Sequence, residues 1–285
     1  MDEFIEDSVE TQPLIQGGFV DIHAHFFPDR MFSAVWKFFE KHNWSIYYKD
    51  SPDALAGMLR GFGASHFTIL NYLHKPGMRD TLAEWTRAFA LQQPGAIPFG
   101  TLYPGEPGNL DAARQWFDEW DFRGIKIQPL VSCKPIPDPS MYPVFELMSE
   151  RGKWLVIHAG TAPYPNEFTS LDHFEKLLSD FPNMKAILCH MGGFDYARAL
   201  DLLDMFPNLC LDTTMIFVNT DVFDSTYPIP YERLLPYQDR LFFGSDFPNI
   251  PYPYSESVDG LLRLGLGDDF LNRVFRDNAK RFFEL

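Results

Sequence analysis

FVDIHAHFFPDRM, residues 19–31, is an apolar run that ends in two histidines separated by one alanine. Its reading decides the fold. The first strand of a doubly wound open sheet usually runs into a glycine-rich phosphate loop. No GxGxxG follows here. A closed parallel barrel instead carries its chemistry on the C-terminal ends of its strands. Residues two apart on a strand share a face, so His23 and His25 are expected to point the same way.

Beyond this stretch, short apolar runs alternate with longer amphipathic segments. The runs are GFVDIH, SHFTIL, AIPFGTL, FRGIKIQPL, KWLVIHAG, MKAILCH, NLCLDT and RLFFGSD. Each has the length of a strand, and most are rich in Ile, Val, Leu and Phe. Helix-like stretches follow them, among them MFSAVWKFFEKH, TLAEWTRAFALQQ, NLDAARQWFDEW and DYARALDLLDMF. Such alternation indicates a parallel sheet covered by helices, and eight strands are the number that closes a barrel. The expected fold is α/β, a distorted TIM (β/α)8 barrel in one domain over residues 17–285. Residues 1–16 are acidic and without period, and are expected to form a tail.

A net charge of −15 argues against a nucleic-acid or anionic membrane partner, which demands a basic surface. An acidic substrate remains compatible, because one buried lysine outweighs the global charge locally. The three cysteines, Cys133, Cys189 and Cys210, fit neither a disulfide framework nor a zinc ribbon. MDEFIEDSVE is acidic where a secretory leader is basic and then apolar, so a cytoplasmic protein is expected.

Three more strand ends carry ligand-type groups. Trp154, Val156 and His158 are expected on one face, and likewise Ala186, Leu188 and His190; Asp246 ends RLFFGSD. Cys189 is then expected to face away from His190 into packing. Apolar residues would fill the lower barrel layers, with a ligand-type side chain above each stack. Imidazole and carboxylate suit zinc, and also iron, cobalt or manganese. A catalytic ion keeps a position open, so not every polar group needs to ligate. On GIKIQP, Ile125 and Ile127 face the helices and Lys126 the barrel interior, where an unpaired charge is costly. Asp212 reads either as support for a histidine or as a turn cap. His42, His66, His74 and His173 read as structural or solvated.

VDIHAH, GIKIQP, VIHAG, CHMGG and FGSDFP, in this order and at barrel spacing, resemble the amidohydrolase superfamily, and within it the aminocarboxymuconate semialdehyde decarboxylase-like branch. The resemblance implies one divalent metal ion, with Zn2+ expected and Mn2+, Co2+ or Fe2+ as alternatives. His23 and His25 match the first-strand ligand pair, His158 the third ligand, and Asp246 the carboxylate that ligates or handles the proton of water. His190 matches a histidine beside water and substrate. In two-metal members a carboxylated lysine near the place of Lys126 bridges the ions; here Lys126 is read as an ammonium pairing with a carboxylate of the site or of a substrate. Lys126 and Phe27 are the expected substrate contacts.

These readings lead to a hydrolase that opens an amide, ester or lactone bond of a small molecule through metal-activated water, with Asp246 moving the proton and His190 bonding the oxyanion. The alternative is a non-oxidative decarboxylase of an unsaturated or aromatic acid. A metal-binding scaffold without catalysis would need neither His190 nor Lys126. The expected partners are a small-molecule substrate and a second copy in a homodimer, without nucleic acid or membrane.

Overall fold

The computed structural model describes residues 17–285; the tail expected over 1–16 lies outside them. Nine strand segments occur: β1 (Phe19–Asp21), β2 (Ala64–Ile69), β3 (Ala96–Pro98), β4 (Gly100–Thr101), β5 (Gly124–Ile127), β6 (Trp154–Ile157), β7 (Lys185–Leu188), β8 (Leu209–Asp212) and β9 (Leu241–Phe242). All pairings between them are parallel, in the order β1-β2-β3 and β4 through β9. β3 and β4 are two pieces of one barrel position, interrupted at Phe99. Pro98 has no N–H to give, but its carbonyl still accepts from Arg123 N at 2.9 Å. Eight barrel positions result, as the sequence predicts.

The ring closes between the last position and the first. Ile22 N donates to Phe243 O at 3.0 Å, Asp246 N to His23 O at 2.8 Å, and His25 N to Phe247 O at 2.7 Å. This seam carries the two histidines of the opening motif on one side and Asp246 on the other. The molecule is a TIM barrel.

Two apolar clusters follow from the period of two along each strand. The inner one holds Val20, Ile22, Phe99, Trp154, Val156, Ile187, Cys189, Cys210 and Phe242. Phe283, from the C-terminal helix Asn278–Phe283, closes one end of it against Trp154 and Phe242. The larger cluster lies between strands and helices and includes Phe19, Ile125, Ile127, Leu155, Ala186 and Leu188. Ile125 and Ile127 thus face outward, as expected, and Lys126 faces the interior.

The structure corrects the reading of the strand before His190. Ile187 and Cys189 face the barrel interior, while Ala186 and Leu188 pack outward. His190 reaches the mouth because the chain kinks there, with φ of 54° at His190 and 48° at Met191. Cys189 is therefore an interior residue. Two helices were also missed: Pro52–Gly61, capped by Ser51, and the short Pro129–Ser132. Among the described residues no helix is long and apolar enough to cross a membrane.

Candidate metal centre

His23 and His25 leave β1 through a bend at Ile22. That bend resets the alternation, so both rings reach the mouth although Ile22 remains in the core. Gly244 makes room for them: a Cβ on it would stand 2.7 Å from His23 Cβ and 2.3 Å from Thr214 Oγ1. Gly160, with φ of +115°, lets the turns after β6 and β7 touch, since a Cβ there would meet Gly192 O at 1.8 Å. That contact brings His158 and His190 together, with ring centroids 5.0 Å apart. His190 in turn lies 4.9 Å from His23, centroid to centroid.

Each of the four rings is tethered through one nitrogen. His25 Nδ1 lies 2.8 Å from Leu70 O, His158 Nε2 3.1 Å from Ala162 O, and His190 Nδ1 3.2 Å from Thr214 O. A carbonyl oxygen only accepts, so these nitrogens carry the proton. His23 Nδ1 lies 2.9 Å from Asp212 Oδ2 in the same manner. In a neutral imidazole the other nitrogen then holds a lone pair. His23 Nε2 and His25 Nε2 both face Asp246 Oδ1, at 3.4 and 2.8 Å. His158 Nδ1 is buried and has no hydrogen-bond partner among the described residues. Lone pairs converging on a carboxylate repel unless a cation lies among them, so the donor set fits a divalent ion.

Burial, then the neighbouring Lys126, holds the His23 imidazole down at about 3; burial, then His190, does the same to His158. For Asp246, burial pushes upward but is outweighed by His25, then His23, when these rings carry a proton toward it, and in that state the carboxyl lies well below the usual range. Asp212 is held low in the same way, chiefly by His23.

The expected ligands do not all meet equally. Ligand atoms of His23, His190 and Asp246 lie within 4.8 Å of one another, as do those of His23, Cys189 and Asp212. His25 joins through Asp246, and His158 stands behind His190. Lys126 is buried, with Nζ 2.9 Å from Cys189 Sγ and 3.4 Å from His23 Nε2. The expected carboxylate partner for it is absent among the described residues. Phe27 is fully buried, stacked on His25 and edge-on to Tyr72. Its ring shapes the wall from behind, and half-buried Tyr72 stands against His25 with centroids 5.3 Å apart. The sequence reading passed over Tyr72, which differs in no local signal from the many other aromatics.

Asp21 was missed as well. It is fully buried on the outer face of β1, and burial raises its carboxyl to about 6. Its oxygens accept from His23 N at 3.0 Å, Ser245 N at 3.2 Å, Ser245 Oγ at 2.6 Å and Tyr254 OH at 2.9 Å. It therefore clasps the seam one residue away from Asp246 and two from His23. His42 and His74 are exposed, and His66 and His173 are partly exposed.

These values set an acid limit for the metal-free protein. His23 and His158 stay neutral in the fold down to about 3 but take protons from 6.5 once unfolded. Unfolding therefore gains protons as pH falls through that window, and stability falls with it. Asp21 acts oppositely between 3.8 and about 6, where only the folded chain holds its proton. Two histidines against one carboxyl leave about one net proton, or about 1.4 kcal/mol lost per pH unit. Urea midpoints of the chelator-treated protein are expected to decline steadily from pH 6.5 to 4; a flat or rising profile contradicts the assignment.

A barrel mouth lined with inward lone pairs is the scaffold of a metal-dependent enzyme. The family model described as amidohydrolase matches residues 20–285, and the chain belongs to that family. Its members use a divalent metal ion. No curated protein matches the sequence. Solved structures match along nearly the whole chain. An uncharacterized TIM-barrel protein from Bordetella bronchiseptica is 16% identical, with a TM-score of 0.72 over 93% of this chain and 98% of that one. A 5-carboxyvanillate decarboxylase from Novosphingobium aromaticivorans, with bound manganese, is 15% identical, TM-score 0.64, covering 94% and 97%. A probable 2-pyrone-4,6-dicarboxylic acid hydrolase from Acinetobacter baumannii is 13% identical, TM-score 0.66, covering 94% and 100%. At these identities the likeness is one of fold.

Proposed function

We propose that the protein is a metal-dependent hydrolase acting on an amide, ester or lactone bond of a small molecule. One observation carries this reading: an ionised carboxylate, Asp246, faces the Nε2 atoms of His23 and His25 at the partly open end of the barrel. His23, His25, His158 and Asp246 would hold the ion. When bound, it supplies Lewis-acid polarisation of a carbonyl and acidification of water. Asp246 accepts the proton of the attacking water and returns it to the leaving atom. His190 is read as the group that bonds the developing oxyanion. With Nδ1–H given to Thr214 O, neutral His190 offers Nε2 as an acceptor, so it receives a proton before it can donate to an oxyanion. Three imidazoles with one carboxylate support zinc as the resident ion. Free Cys133, Cys189 and Cys210 support a reducing, cytoplasmic setting.

Lys126 favours a second reading. A buried lysine with no carboxylate beside it among the described residues suits a substrate that brings its own carboxylate. Such a group is also what a decarboxylase of an unsaturated or aromatic acid removes. Product analysis separates the two. The protein loaded with Zn2+ or Mn2+ is expected to hydrolyse members of a lactone, ester and amide panel, and release of CO2 without hydrolysis would overturn the leading reading. Lys126→Met is expected to keep its metal and raise KM at least about tenfold for carboxylate-bearing substrates. An unchanged KM removes Lys126 from substrate binding.

A further inference from the structure

We propose that Asp212 is a positioning residue that sets two histidines of the site together, the ring of His23 and the backbone of His190. The inference rests on the reading of His23 as a metal ligand. Asp212 ends β8 and is fully buried. Its two oxygens divide the work. Oδ2 reaches past β9 to His23 Nδ1 at 2.9 Å. Oδ1 accepts from His190 N at 2.8 Å and from Thr214 N at 3.2 Å. The first bond keeps the proton on Nδ1 and leaves the Nε2 lone pair toward Asp246. The second holds an amide at the point where the chain turns left-handed, with φ of 54° at His190. That kink is what carries the His190 ring to the mouth while Cys189 stays inside. One carboxylate thus ties the first-strand ligand to the histidine after β7.

Water is kept from both bonds, because His23 is 1% exposed and Asp212 is 0% exposed. Capping alone would account for the bonds to His190 N and Thr214 N, but not for the bond to His23. Asparagine separates the two roles. In Asp212→Asn the remaining oxygen still accepts from the two backbone amides, so the turn is kept. The amide NH2 now faces His23 Nδ1 and can only donate. The ring must then move its proton to Nε2, which removes the lone pair from the site.

The test reads the tautomer and the metal separately. In the metal-free wild type, side-chain 1H–15N correlation spectra are expected to show His23 protonated on Nδ1; in Asp212→Asn, on Nε2. Zn2+ affinity, measured by competition with a chromogenic chelator, is expected to fall 10- to 100-fold in the variant. Nε2 protonation in the wild type overturns the proposal even if the variant fails to fold. So does a variant that binds Zn2+ as tightly as the wild type. A wild type that binds no divalent ion defeats the hydrolase reading instead, and the tautomer measurement still decides the role of Asp212.

Discussion

Asp246→Asn lowers kcat by about 10³-fold while the barrel stays folded. The substitution is chosen to isolate the proton acceptor. Asp246 lies at φ of 73°, a conformation that asparagine tolerates and alanine does not. Its backbone bonds, Asp246 N to His23 O and Asn249 N to Asp246 O, are retained. An amide oxygen can still face His23 and His25, but it cannot take a proton at neutral pH. Metal content, measured beside kcat, distinguishes loss of the base from loss of the ion. A metal-replete Asp246→Asn enzyme within tenfold of the wild type would sink the assignment of Asp246 as the base.

Asp21→Ala is expected to unfold most of the protein at 37 °C, whereas Asp21→Asn is nearly silent. Alanine leaves four buried donors without an acceptor: His23 N, Ser245 N, Ser245 Oγ and Tyr254 OH. At about 1–3 kcal/mol each, the sum approaches the whole stability of a typical domain. Asparagine keeps one oxygen for the two backbone amides. Its NH2 meets the hydroxyls of Ser245 and Tyr254, which rotate to accept, so the cost is about 1 kcal/mol. It also removes a buried ionised carboxyl above about pH 6. Thermal melts of the two variants at pH 7.5 check the contrast. Equal losses would show that the clasp depends on charge rather than on the number of acceptors.

Most of the site was legible because barrel position and residue type coincide. His23, His25, His158 and Asp246 each follow an apolar run, and parallel strands bring such ends to one mouth. Asp21 was hidden by its place inside β1, where a carboxylate reads as an outward polar residue. Its partners, Ser245 and Tyr254, lie more than 220 residues away in sequence. Cys189 was misread because a strict period of two was carried through His190. The left-handed turn that breaks this period is held by Asp212, a contact that no local pattern announces.

The sequence by itself determined the barrel, the mouth and the kinds of groups at it. Those properties follow from hydrophobic period and chain order, which are local. Only the tertiary structure decided which nitrogen each histidine offers and that, among the described residues, Lys126 meets Cys189 and not a carboxylate. It also decided that one buried carboxylate, Asp212, bonds both His23 and His190. These depend on atoms brought within about 3 Å across the barrel, where hydrogen-bond geometry selects among arrangements that the same residues at the same spacing would equally allow.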